Sequence, residues 1–262
     1  MKGKNAWFGS QVWELIYPLL MYYAVTVFVM LFARSILGTS EEQYMLCQCI
    51  VDLVAIPVIY LGFYRPDLKI WSAAYAGSFE SHGVRDVLFT LAIALTLGTG
   101  INNLICMSPL IEASAGFAEA NRNFYSATLM IELIGSGLLT PIAEELIWRG
   151  VFYGRVRRML GLRLAIVVSA LGFAFVHFNL VQGLYALLLG LAFALILEKG
   201  GRLYLTMLAH MACNTLAVLR TELGLLAFTS DGSAGAWILS LLLTSIGLVL
   251  LWVYVKPKTL FS

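Results

Sequence analysis

The chain has 262 residues, of which 60% are hydrophobic and 12% charged, with a formal net charge of +2 and a mean hydropathy of +0.86. Soluble domains run at roughly half apolar and a quarter charged, so water is not the solvent for most of this chain. A water-soluble globular enzyme and a basic nucleic-acid binder are excluded. The four cysteines, Cys47, Cys49, Cys106 and Cys213, lie in apolar runs without CxxC spacing. They read as small core residues, with no disulfide framework or zinc knuckle indicated.

A helix needs about 20 apolar residues to cross a hydrocarbon core of about 30 Å. Such runs fall near 11–33, 44–63, 84–106, 125–148, 162–180, 183–197, 203–219 and 234–255. They predict an all-α, polytopic membrane bundle of about eight transmembrane helices in one integral membrane domain over 1–262. The first run is longer than a signal-peptide core and lacks a small-residue cleavage site after it, so it is read as a retained helix. The sixth run is short and is expected to tilt or to span incompletely.

Cytoplasmic loops carry an excess of Lys and Arg, which tests the count independently. With the N-terminus inside, the inside set is Lys2, Lys4, Arg65, Lys69, Arg85, Arg155, Arg157, Arg158, Arg163, Lys199, Arg202, Lys256 and Lys258. Arg34, Arg122 and Arg220 fall outside, and Arg149 stays within the membrane; 13 + 3 + 1 accounts for all 17 basic residues. Losing one helix would invert every later loop and spoil this sorting. Eight helices with both termini cytoplasmic is therefore the expected topology. The segment 64–83 mixes Trp71, Tyr75 and Phe79 with polar residues and predicts an interfacial helix. No internal repeat, glycine-rich phosphate loop or nucleic-acid-binding pattern occurs, so no nucleic-acid partner is expected.

Within the fourth run lies PIAEELIWR, residues 141–149, with two adjacent carboxylates and an arginine in otherwise apolar surroundings. Ionisable groups at membrane depth are costly and mark functional sites. FAFVH (173–177) and HMACN (210–214) place two of the three histidines of the chain in later runs. From Glu144 to Arg158 is fourteen residues, and from Arg163 to His177 again fourteen. Each span is about 21 Å along a helix, so Glu144 and His177 should meet at one depth on antiparallel neighbours. His210 and Asn214 come near that level once tilt is allowed. Glu145 and Arg149 are i,i+4 neighbours that can pair, leaving Glu144, about 100° away, to face the bundle centre. Phe173 and His177 share a helix face, as do His210 and Asn214.

A carboxylate in a low-dielectric site is a usable general base. Glu144 could deprotonate water with His177 positioning it, while His210 and the Asn214 amide donate to the oxyanion formed on a carbonyl. That reaction is amide hydrolysis. The same Glu144, His177 and His210 could instead ligate Zn²⁺. HExxH is absent, and direct glutamate catalysis is the preferred version.

EELIWR resembles the EExxxR motif, FAFVH resembles FxxxH, and HMACN resembles the HxxxN motif of the CAAX protease and bacteriocin-processing (CPBP, or Abi) intramembrane proteases, over roughly residues 132–219. The resemblance implies a helical-bundle endopeptidase with a catalytic core of about 125–220. It implies Glu144 as base, His177 as its partner, His210 and Asn214 as the oxyanion pair, and Glu145 with Arg149 as support. Phe173 is read as packing against His177. The substrate implied is a membrane-associated peptide or protein, either a CAAX-type protein or a peptide precursor. The resemblance is to the bacterial members, hence a multi-pass protein of a bacterial plasma membrane, with oligomeric state open. Two alternatives stand beside it: a non-catalytic immunity or scaffold protein, and a proton-coupled transporter using Asp52 and Glu132 in a relay.

Overall fold

The computed structural model describes residues 2–74, 83–114 and 116–256, with side chains from residue 11 and excluding 70–74. No strand occurs among the described residues. The helices are α1 (Lys2–Leu37), α2 (Glu41–Ile59), α3 (Arg65–Ala74), α4 (Val84–Cys106), α5 (Leu110–Ala113), α6 (Phe117–Phe124) and α7 (Leu129–Ile134). They continue as α8 (Thr140–Glu145), α9 (Tyr153–Leu160), α10 (Leu162–Phe175), α11 (Leu180–Gly200), α12 (Leu203–Leu223) and α13 (Ala234–Val255). The protein is a multi-pass, all-helical membrane protein.

Its outer surface is apolar, as lipid requires. Phe28 is 72% exposed on α1 and Val249 59% exposed on α13. Five helices are long and apolar enough to cross: Gln11–Leu37, Glu41–Lys69, Val84–Cys106, Leu180–Gly200 and Ala234–Val255. A sixth arises if α6 and the rod Leu129–Leu160, which meet at 107°, count as one broken span. Each of the eight sequence runs lies on a helical rod, but three rods fall short of simple apolar spans. The Leu129–Leu160 rod carries Glu132, Glu144, Glu145 and Arg149. α12 carries His210 and Asn214, and α10 has only 14 residues. The short element is thus the fifth, not the sixth as the sequence suggested, since α11 runs a full 21 residues. α10 stops early because the chain reverses at Phe178, with φ of 53°, and Asn179 caps α11 by accepting from the Gln182 amide. Of the expected interfacial helix, α3 continues from α2 through a π-helical turn, Tyr60–Tyr64. Tyr75 and Phe79 lie outside the described residues.

The rod that carries Glu144 sits in the middle of the bundle. It is interrupted by π-helical segments at Gly135–Leu139 and Leu146–Phe152. Pro141 supplies no amide for an i→i−4 bond, which is why the ladder loosens just ahead of it. α8 and the two π segments pack against α2 and α12, and the second π segment also meets α1 and α10. One core joins α4, α11, α12 and α13 through Ile93, Leu97, Phe193, Leu205 and Leu251. Another joins α1, α2 and the second π segment through Tyr22, Ile59, Ile147 and Trp148. A third locks α9 to α10 and α11 through Tyr153, Val156, Ile166 and Ala194. Cys47, Cys49 and Cys213 are buried free thiols, the core residues expected, and Cys106 is partly buried.

Ion pairs tie the ends of the rods together. Arg155 pairs with Asp67 at 2.8 Å and donates to the Glu14 carbonyl at 2.6 Å. Arg157 pairs with Glu198 at 2.9 Å, and Tyr153 donates to the same carboxylate at 2.6 Å. At the other end Arg122 pairs with Glu41 at 2.9 Å.

α4 approaches α13 closely at Gly100, where a Cβ would stand 2.7 Å from the Thr244 backbone nitrogen and 2.9 Å from the Ser240 carbonyl oxygen. Backbone cannot yield as a side chain can, so Gly100→Ala is expected to destabilise the bundle by about 1–3 kcal/mol. Thermal unfolding in detergent, compared with the unaltered chain, measures it.

Candidate active site

Glu145 and Arg149 form the expected pair, Arg149 Nη1 to Glu145 Oε1 at 3.0 Å, with both side chains at 0% exposure. His210 Nδ1 lies 3.0 Å from the same Oε1. The guanidinium lies over the Phe173 ring at 4.3 Å from its centroid and 5.7 Å from that of Phe193. Gly190 makes this possible: a Cβ there would meet Arg149 Nη2 at 3.0 Å and Ala170 Cβ at 3.3 Å. Phe173 is therefore more than packing for His177. It contacts His177 edge-on at 4.9 Å and His210 at 5.9 Å, so one ring seats the arginine and both imidazoles.

Glu144 points the other way, as the 100° offset predicted, into a cavity of about 810 Å³ that also admits His177, His210 and Asn214. Its Oε2 is 3.7 Å from His210 Nε2. The partner nearest Glu144 is thus His210, where the sequence reading had named His177. His177 itself lies in the turn after α10 rather than on the helix. Its Nδ1 bonds the Phe173 carbonyl at 2.8 Å. A carbonyl only accepts, so Nδ1 carries the hydrogen and Nε2 is left with a lone pair. The Arg149-paired carboxylate of Glu145 imposes the same tautomer on a neutral His210. A neutral His210 is then an acceptor towards the cavity, and it can donate to an oxyanion only after Nε2 takes up a proton. Asn214 donates one amide hydrogen to the Ser136 carbonyl at 3.0 Å, which orients its side chain.

Sequence reasoning missed Phe193, whose ring stands 5.6 Å from His210. It also missed Thr140, which donates to Asp52 at 2.7 Å one turn before Glu144. Phe193 is one apolar residue in an apolar helix and gives no signal. Thr140 stands four residues before Glu144 and could have been found as its helical neighbour. Asp52, held also by Gln48 at 3.0 Å, faces this same rod, whereas the fully buried Glu132 has no hydrogen-bond partner for either carboxylate oxygen. The two acids form no relay with each other through any described hydrogen bond.

A zinc ion would need Glu144, His177 and His210 gathered round one point. Among the described residues no group of three His, Cys, Asp or Glu side chains is placed to hold a metal ion. As arranged here, Glu144, His177 and His210 do not form such a group.

Comparison with known proteins agrees with the segment defined by these contacts. Residues 126–216 match a family model described as "Type II CAAX prenyl endopeptidase Rce1-like". That segment, which carries Glu144, His177, His210 and Asn214, is thus similar to this family. A Bacillus subtilis (strain 168) protein named "Putative membrane peptidase YdiL" is 29% identical over 87 residues, 33% of this chain and 36% of that protein. The match thus spans about a third of either chain. No solved structure matches significantly.

Breaking a fully buried ion pair strands a charge. Arg149→Met alone is expected to cost about 3–5 kcal/mol of stability, and Arg149→Met combined with Glu145→Gln is expected to recover much of that loss. Unfolding of the single and double variants in detergent measures both.

Proposed function

We propose that this protein is an intramembrane endopeptidase that hydrolyses a peptide bond of a membrane-associated protein or peptide. The observation that carries the reading is the convergence of Glu144 Oε2 and His210 Nε2, 3.7 Å apart, on a cavity that His177 and Asn214 share. A carboxylate and two imidazole lone pairs form a basic wall for one water molecule.

Glu144 takes a proton from that water while His177 Nε2 accepts its other hydrogen and aims the oxygen. The hydroxide adds to the scissile carbonyl carbon. The proton passes from Glu144 to His210 Nε2, giving an imidazolium stabilised by the adjacent Glu145 carboxylate. His210 and the second amide hydrogen of Asn214 then donate to the oxyanion. Collapse breaks the C–N bond, the amine leaves with the proton from His210, and a new carboxyl group remains. Arg149 keeps Glu145 ionised and so keeps His210 in the orientation this sequence of transfers needs.

Purified protein with a library of membrane-anchored peptides tests the reading. Glu144→Gln and His177→Ala are expected to lower cleavage by about 10²–10⁴-fold. Asn214→Ala is expected to lower kcat by about 10²–10³-fold with little change in KM. Ion-gradient-driven uptake in liposomes without cleavage would instead establish a carrier.

The donor geometry also favours metal-free hydrolysis. Cleavage is expected to persist under strong chelators; loss restored by added zinc would replace this mechanism with a metal-dependent one.

A further inference from the structure

The cavity does not run symmetrically through the bundle. Away from Glu144 it opens between α6, the α10–α11 turn and the end of α12, where Glu119, Asn121, Phe178, Thr221 and Leu225 line it and are all exposed. In the other direction the rod continues through Ile147, Arg149, Val151 and Tyr153, each at most 1% exposed. Beyond them lie Arg155 and Arg157, tied to Asp67 and Glu198. The open end and the closed end therefore have opposite charge character. The closed end gathers the inside set of basic residues, among them Arg155, Arg157, Arg158, Arg163, Lys199 and Arg202. The open end has Arg122 and Arg220, with Glu112, Glu119, Glu222 and Asp231. Short loops rich in Lys and Arg stay in the cytoplasm.

We propose that the cavity opens to the non-cytoplasmic face of the membrane and takes a polypeptide segment presented on that face. The walls fit such an occupant. Side-chain amides of Gln48, Asn102 and Gln182 and the Tyr125 hydroxyl stand beside Phe117 and Leu189. Amides and hydroxyls can pair with an extended backbone while the apolar patches take alternate side chains. A substrate confined to the cytoplasmic surface would meet the buried plug of Ile147 and Tyr153 and the ion-paired end instead. The substrate part rests on the proteolytic reading above; the sidedness does not.

Single cysteines in the full chain, with Cys106→Ala to remove the partly buried thiol of the wall, decide the side. Asn121→Cys and Thr221→Cys are expected to react with a membrane-impermeant maleimide in intact cells and to lose that reaction in sealed inside-out vesicles. Arg158→Cys is expected to do the reverse. The opposite pattern overturns the proposal, and a Glu144→Gln background should leave the labelling unchanged because the test does not need activity. Single-span reporters carrying the same test segment on either side of the membrane complete it. Cleavage of the non-cytoplasmic reporter, abolished by Glu144→Gln, supports the substrate assignment, whereas cleavage of the cytoplasmic reporter alone overturns it. Cleavage of neither reporter removes the protease reading and with it the substrate assignment, leaving labelling to decide the sidedness.

Discussion

The buried pair between Arg149 and Glu145 is the constraint on which the rest of this site depends. A full positive charge inside an apolar bundle persists only with a negative partner and polarisable walls. Glu145, Phe173 and Phe193 supply them from three different helices. Satisfying the arginine therefore draws α8, α10 and α11 to one point. His210 joins from α12 by sharing the Glu145 oxygen. The arrangement that makes Arg149 tolerable is the same one that sets the imidazole beside Glu144.

The division of labour between the two adjacent glutamates follows from helix geometry. Glu145 faces inward, where one carboxylate oxygen meets both Arg149 and His210, while Glu144 is turned into the cavity with 23% of its side chain exposed. One carboxylate holds the scaffold and the other is free to meet water. The π segments on both sides of α8 place this short helix against α2 and α12 at once. A π-helical turn leaves some carbonyls without their usual partners. Asn214 uses such a carbonyl, that of Ser136, as an anchor.

The same three rods that fail a simple apolar test are the ones that carry the chemistry. Glutamates and arginine interrupt the Leu129–Leu160 rod, histidine and asparagine interrupt α12, and α10 ends short so that His177 sits in a turn at the cavity wall. Function here is bought with hydrophobicity. The long apolar spans of α1 and α13 expose most of their surface to lipid, while α4 packs in the core against α11, α12 and α13.

Much of this was legible in the chain itself. Alternation of apolar runs and basic loops is a one-dimensional signal of membrane crossing, so the all-helical membrane bundle could be read directly. The i,i+4 spacing of Glu145 and Arg149 and the equal arms from Glu144 and His177 to the α9–α10 hairpin are also local geometry, set by rise and turn per residue. What the chain order could not contain is which groups from distant helices meet. That His210, and not His177, is nearest Glu144, that Phe173 underlies Arg149, and that Phe193 closes the cluster depend on how helices tilt and rotate against each other. Those choices are made by side-chain packing between segments far apart in sequence. The same holds for the short fifth helix, where a capping asparagine and a left-handed phenylalanine override an apolar run that would otherwise have continued.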